Sequence, residues 1–229
     1  KAKIRKNTRA VDYDEVQSGF LAGYAAVMDG YRSLGFLGGQ KQKNVMYYGS
    51  GFVQGAEYAA SQLKLKENEV TVRYDYLETN EISPSVMARA GQWYEDGCEL
   101  IFAAGGAIPT AVIKAAEATD GKVIASDVAQ TSKQQEVVTT AEKNVTDVVY
   151  NAIGGAYGDS FDGGKEEIMD LSNEGVGLSM EQSAFQSFTA DEYNKIVSQI
   201  VEKEVEVKKE YVSVVNEEGG VAHLTLNFE

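Results

Sequence analysis

The chain has 229 residues, 43% hydrophobic and 24% charged, a balance that excludes a disordered, collagen-like or coiled-coil polypeptide. Against 21 basic residues stand 35 acidic ones, a net charge of −14 with the lone histidine neutral. Such a surface repels phosphate backbones and anionic lipid, so neither nucleic-acid binding nor adsorption to a membrane surface is expected.

The opening segment, KAKIRKNTRAVDYDE, has a basic run with no apolar core behind it, unlike a signal peptide. It lacks an initiator Met, and the chain is expected to begin inside something longer or after processing. No stretch approaches the roughly 18 apolar residues of a membrane span. From Leu34 onward, apolar runs of strand length alternate with helical patterns. Leu34–Leu37 reads as a strand closed by Gly38-Gly39, and Phe52, Ala56, Ala59, Ala60 and Leu63 share one helix face. A strand over Val70–Tyr76 and a helix opened by Ser83-Pro84 follow. Next come a strand over Glu99–Ala104, a helix over Pro109–Ala118 and a strand over Lys122–Ser126. A strand at Val137–Thr140 and a helix over Val145–Tyr157 complete the run. Strands alternating with helices of this length predict βαβ units and a parallel sheet, an α/β fold with helices on both faces. Beyond it, Ala190–Val205 predicts an amphipathic helix. Glu210–Val215 and Val221–Leu226, flanking Asn216–Gly220, predict a C-terminal β-hairpin with a Gly-rich turn.

In an open parallel sheet, ligands lie outside the carboxyl ends of the strands. Those ends deliver Gly38 and Gly39, then Tyr76, Leu77 and Glu78, then Gly105 and Gly106, then Asp127. Thr139 and Thr140 follow, with Lys143 slightly beyond. Two backbone-exposing glycine pairs, a carboxylate, an ammonium and an aromatic ring suit a small polar ligand. Each has a plainer reading as well. The glycines serve strand-to-helix turns, Asp127 could cap a turn, and Lys143 could be a solvated charge. Neither GxGxxG nor GxxxxGK[ST] is present, so phosphate cradling is unsupported.

Catalytic and metal constellations fail individually. The only histidine, His223, lies among apolar neighbours near the C terminus, so no Ser-His-Asp or Cys-His set is expected. Cys98 is the single cysteine; it excludes a disulfide framework and reads as a small core hydrophobe. No His/Asp/Glu cluster has metal-ligand spacing, and no cofactor is implied. Trp93 and Tyr94 read as packing residues. The spacings Gly19-x-x-x-Gly23 and Gly51-x-x-x-Gly55 read as close helix contacts. Binding fits better than bond-breaking, and no enzyme is predicted.

Several segments together are characteristic in their order: Ser18–Ala26 (SGFLAGYAA), Leu34–Gly39 (LGFLGG), Gly51–Ala60 (GFVQGAEYAA) and Gly97–Gly106 (GCELIFAAGG). Lys122–Asp127 (KVIASD) and Thr139–Val145 (TTAEKNV) continue the set. Over about residues 7–205 the chain resembles the basic membrane protein family of bacterial lipoproteins, the purine-nucleoside-receptor type of ABC-transporter substrate-binding protein.

The resemblance implies a type I periplasmic-binding fold, with two α/β lobes closing on a purine nucleoside. Residues 18–135 would form the second, C-terminal lobe, complete in this chain. Residues 1–17 and 136–229 would supply crossover segments and part of an incomplete first lobe. It also implies a ribose-gripping aspartate at Asp127, a ligand-facing glycine at Gly105 or Gly106, and a ligand lysine at Lys143. An aromatic that stacks on the base aligns only loosely with the stretch from Tyr76 to Asn80. The family's second acid falls on Ala129, and its opening segment has no counterpart here. The implied role is the extracytoplasmic, lipid-anchored solute-binding component of an ABC importer, partnered by a membrane permease. This chain is read as a truncated form with weakened binding and a tendency to self-associate. The alternative is a regulatory or interaction domain that reuses the fold without transport.

Overall fold

A computed structural model of the chain describes residues 3–127, 134–158, 160–212 and 221–229. β1 (Ala10–Tyr13) leads into α1 (Glu15–Met28), followed by β2 (Ser33–Gly38), α2 (Lys43–Gln62) and β3 (Val70–Tyr76). Then come α3 (Pro84–Glu95), β4 (Leu100–Ala104), α4 (Ile108–Ala116), β5 (Lys122–Ser126) and β6 (Val137–Lys143). The order continues with α5 (Val145–Tyr157), β7 (Glu166–Met169), β8 (Val176–Leu178), α6 (Ala190–Val201) and β9 (Leu224–Phe228). α6 stops short of the expected Val205, where the backbone turns left-handed at Lys203 (φ 63°).

Seven strands form one sheet in the order β8-β6-β5-β4-β2-β3-β9. All pairings are parallel except the edge pair β6–β8. β6, β8 and β9 follow residue 135 yet lie in the same sheet as β2 to β5. The strand order reverses at β2, whose neighbours are β3 and β4, which creates a topological switch point outside the ends of β2 and β4.

The pleat sorts the core into two layers. Phe36 lies level with Tyr74 and Phe102, its ring 4.8 and 5.7 Å from theirs. This face packs on Phe20 of α1 and on Tyr48 and Phe52 of α2. One residue later, Leu37 faces the opposite layer, with Trp93 of α3 and Ile108 and Val112 of α4. α3 starts as the sequence predicts: Pro84 occupies its first turn, and the Ser83 hydroxyl accepts the Val86 N–H at 3.3 Å.

α1 and α2 touch through backbone. A Cβ added to Gly23 would sit 2.8 Å from the Phe52 carbonyl carbon, and closer still to its oxygen. At Gly55 the same clash arises with the carbonyl of Phe20. Both glycine spacings singled out from the sequence therefore bring these helices together. The C-terminal end of α1 is tied down separately. One carboxylate oxygen of Asp29 accepts the N–H groups of Gln186, Ser187 and Phe188 at 2.7, 2.6 and 2.9 Å. That holds Phe188 edge-on against Tyr24.

β1 and β7 form a separate two-stranded parallel sheet, Ala10 level with Glu166 and Tyr13 with Met169. α5 precedes β7, capped by the Asn144 side chain on the Asp147 N–H, and buries none of its residues. Val145, Val149, Ile153 and Tyr157 recur every fourth position, and all are exposed.

The C-terminal hairpin is a correction. Tyr211 and Val212 lie in a helical turn, residues 213–220 fall outside the described segments, and Leu224–Phe228 pairs in parallel with β3. The reason is nonlocal. β3 would otherwise leave an unpaired edge, and β9 fills it with Leu224, Leu226 and Phe228 level with Val70, Val72 and Tyr74.

Candidate functional site

The parallel strands deliver their carboxyl ends to one rim of the sheet. β5 ends at Ser126, and Asp127 follows with a left-handed backbone (φ 55°), a conformation Asp tolerates better than most residues. Its N–H donates to the Ala141 carbonyl of β6 at 3.0 Å, which fixes the turn against the neighbouring strand. β6 extends past the expected Thr140, so Lys143 is its final residue rather than a point beyond it.

This places Lys143 Nζ 3.3 Å from Asp127 Oδ2. The same ammonium lies 3.1 Å from Glu15 Oε1 at the start of α1. It sits over the rings of Tyr48 and Tyr13, 5.4 and 5.7 Å from their centroids. The Tyr48 hydroxyl donates to Asp127 Oδ1 at 3.4 Å. Four residues, from β1, α1, α2 and the turn after β5, thus converge on one cation at the end of β6.

Burial grades across this group. The side chain of Glu15 is 7% exposed, that of Lys143 15%, and that of Asp127 43%. Burial raises the Glu15 carboxyl above its ordinary value, although Lys143 pulls the other way. Burial, reinforced by the Asp127 charge, drives the Tyr48 phenol well above its usual range, so it stays a neutral donor. Tyr13 is raised chiefly by burial, against the pull of Lys143.

The glycines serve the switch point. The N–H of Gly39 donates to the Ala104 carbonyl at 2.8 Å, closing β2 against β4. Gly105 (φ 101°) lies against Val45 and Gly39, and Gly106 (φ 53°) against Asn80. Asn80 also accepts the Gln40 N–H at 3.0 Å, so the loop after β3 lies over the glycine turns. Val45 and Tyr48, one helical turn apart on α2, link the glycine turns to Asp127.

Tyr76 is directed elsewhere. Its hydroxyl shares a 2.7 Å hydrogen bond with that of Tyr74, its ring meets Phe36, and Lys41 lies over it at 5.3 Å. It lines a cavity of about 610 Å³ with Lys43, Tyr47, Lys209 and Phe228. The structure thus joins Asp127 to Lys143, puts Gly105 and Gly106 at the switch point, and turns Tyr76 to a different hollow. Ala129, the expected place of a second acid, lies outside the described residues.

Sequence reasoning missed Glu15, Tyr48 and Tyr13. The available signal was positional: Glu15 begins a helix directly after a strand, where an acid is usually a solvated helix-start residue. Other candidates have structural partners. Trp93 Nε1–H donates to Glu229, the Tyr94 hydroxyl donates to the Lys122 carbonyl, and burial pushes the Cys98 thiol up to about 12. Among the described residues, no group of three His, Cys, Asp or Glu side chains could hold a metal ion, and no helix is long and apolar enough to cross a membrane.

Residues 1–211 match the model of the Bmp family, described as ABC transporter substrate-binding protein PnrA-like. The chain belongs to the Bmp family. Among curated Bmp relatives, Basic membrane protein D of Borreliella burgdorferi strain JD1 is 29% identical over 199 residues, 84% of this chain and 56% of that protein. Basic membrane protein B of strain B31 is 30% identical over 225 residues, 94% of this chain and 60% of its own length. This Bmp chain therefore spans less than two thirds of either relative. The fold matches the ABC transporter solute-binding protein of Conexibacter woesei DSM 14684, with a TM-score of 0.73 at 18% identity, over 90% of this chain and 67% of that one. The seven-stranded sheet and its helices are thus a periplasmic-binding-protein architecture.

Proposed function

We propose that this chain is the ligand-gripping portion of an extracytoplasmic solute-binding protein that delivers a purine nucleoside to an ABC permease. The observation that carries the reading is the Asp127–Lys143 pair, seated at the rim where a parallel sheet presents its ligands. Asp127 is the more exposed member; Tyr48 and Lys143 each take one acceptor position on its two oxygens, and the remaining lone pairs are left for a ligand. A vicinal ribose diol supplies two O–H donors spaced for one carboxylate, and a lysine donor beside it holds a ribose oxygen.

In this reading the seven-stranded sheet with α1 to α4 and α6 is one lobe. β1, β7 and α5 belong to its counterpart, and the cleft opens along the Asp127 rim. A single well-formed wall is expected to bind weakly, because closure and stacking from an opposing wall are what raise affinity. Ligand-detected NMR with millimolar guanosine, inosine and adenosine tests this. The expected result is a signal for ribonucleosides that weakens about tenfold or more for 2′,3′-dideoxyguanosine, and likewise for Asp127→Asn, since a hydrogen bond to a charged group is worth about 1.5–3 kcal/mol. Equal binding of guanosine and its dideoxy analogue, or none of either, overturns the assignment.

A further inference from the structure

We infer that Glu15 is a positioning residue for this site: it shares the Lys143 ammonium so that the Asp127 carboxylate keeps acceptor lone pairs for the ligand. The inference rests on Asp127 and Lys143 being the ligand-gripping pair. Glu15 is 5% exposed and contacts Lys143 at 3.1 Å, whereas the Asp127 side chain on the same ammonium is 43% exposed. It is placed to touch the lysine, not a ligand.

A lysine ammonium is a compact charge on a flexible stem with three donors. With Asp127 as its only anion, it would settle on that carboxylate and fill the oxygens a ligand needs. Glu15 divides it, at 3.1 Å against 3.3 Å, between an inner and an outer carboxylate. Two carboxylates around one ammonium leave a surplus negative charge. The more exposed oxygen atoms, those of Asp127, carry it toward a hydroxyl donor. The rings of Tyr13 and Tyr48 hold the same ammonium through their π faces, so it is enclosed on several sides before a ligand arrives.

Energetics set this apart from a packing role. Burial of Glu15 disfavours its charged form more than Lys143 favours it. A carboxylate kept in such a place contributes poorly to stability. A merely structural acid at the start of α1 could serve the helix equally well from solvent.

The test needs no ligand at first. Glu15→Gln keeps the shape and removes the charge. Acetylation of Lys143, followed by peptide mass spectrometry against the exposed Lys195, should become several-fold faster in the variant, with Lys195 unchanged. Unchanged Lys143 reactivity in a folded variant overturns the inference. Glu15→Asp withdraws the carboxylate by one methylene and should act in the same direction, which covers a failure of Glu15→Gln to fold. Guanosine binding then supplies the second readout. Glu15→Gln should weaken it about tenfold in the wild-type background and leave it unaltered in Lys143→Met, the coupling expected of residues acting as one unit. Simple additivity of the two losses also overturns it. If guanosine binds no form of the chain, the nucleoside reading fails, while the acetylation result still decides whether Glu15 holds Lys143.

Discussion

Replacing Gly23 by alanine tests how close α1 and α2 truly lie. In isolation the change favours a helix by about 1 kcal/mol, because glycine carries the larger backbone entropy cost. Here the new methyl would fall 2.8 Å from the Phe52 carbonyl carbon and 2.9 Å from the Ala56 nitrogen, well inside the 3.4 Å at which ordinary contact begins. Those are backbone atoms and cannot rotate aside. The helices would have to part by about 1 Å, which loosens Phe20, Phe52 and Tyr48 and forfeits part of each dispersion contact. Overpacking a dense interior costs about 1–3 kcal/mol, and rigid neighbours put this site at the upper end. After the helix gain, a net loss of about 2 kcal/mol remains, or about 4–8 °C in Tm for a chain of this size. Gly91→Ala in α3 is the control, since nothing lies within 4 Å of its added Cβ. It should raise Tm by about 1–4 °C, from a gain of about 0.4–1 kcal/mol. Thermal melts followed by circular dichroism compare the two. If Gly23→Ala stabilises as Gly91→Ala does, the backbone contact between α1 and α2 is refuted.

Three further outcomes are expected. Asp29→Ala should cost about 3 kcal/mol in urea titrations, because three N–H groups lose a charged acceptor; hydrogen exchange at residues 186–188 should accelerate with it, and protection equal to wild type would contradict that role. Glu15 has a folded-state pKa raised above its ordinary 4.5, so the folded chain binds the extra proton and loses stability as pH climbs from that value through the raised one. Glu15→Gln should therefore gain stability relative to wild type between pH 4.5 and neutrality, and a difference that is flat or of opposite sign across that range would show the carboxyl is not disfavoured. Finally, the apolar stripe Val145, Val149, Ile153 and Tyr157 should drive concentration-dependent association in sedimentation velocity, abolished by Val149→Lys with Ile153→Lys; a monomer at every concentration would rule that out.

Much of this fold is legible because its signals are local. β3 spans Val70–Tyr76 and α5 spans Val145–Tyr157, as expected, since alternation and four-residue recurrence are read within one segment. Ser83-Pro84 is a helix start by side-chain chemistry alone. The C-terminal strand defeats that kind of reading. A Gly-rich stretch between two apolar runs is a hairpin signal, whereas the partner β9 takes lies some 150 residues earlier in β3, and no local pattern encodes that distance. The rim behaves similarly. Asp127 and Lys143 sit at strand ends, so a rule about sheet topology reaches both. Glu15 and Tyr48 are helical residues whose relevance arises only when α1 and α2 pack on the finished sheet. Tyr76 lies at a strand end as well, but β4 and β2 stand between β3 and β5, and its ring packs on Tyr74 and Phe36.

The placement of β8 and β9 has a consequence for synthesis. These two strands border the sheet on opposite sides, and both come from residues 176–228, after every strand between them has been made. While the ribosome is still translating that stretch, β3 and β6 each present an open ladder of hydrogen-bonding groups to whatever is nearby. The interval before those edges close is when a nascent chain is most exposed to pairing with a neighbour on the same message. Stalled chains ending near residue 170 should be captured by a holdase chaperone, and chains extended past β8 alone should stay bound until β9 is made. Closure of the sheet around the Asp127–Lys143 pair thus waits for segments that supply neither member of that pair.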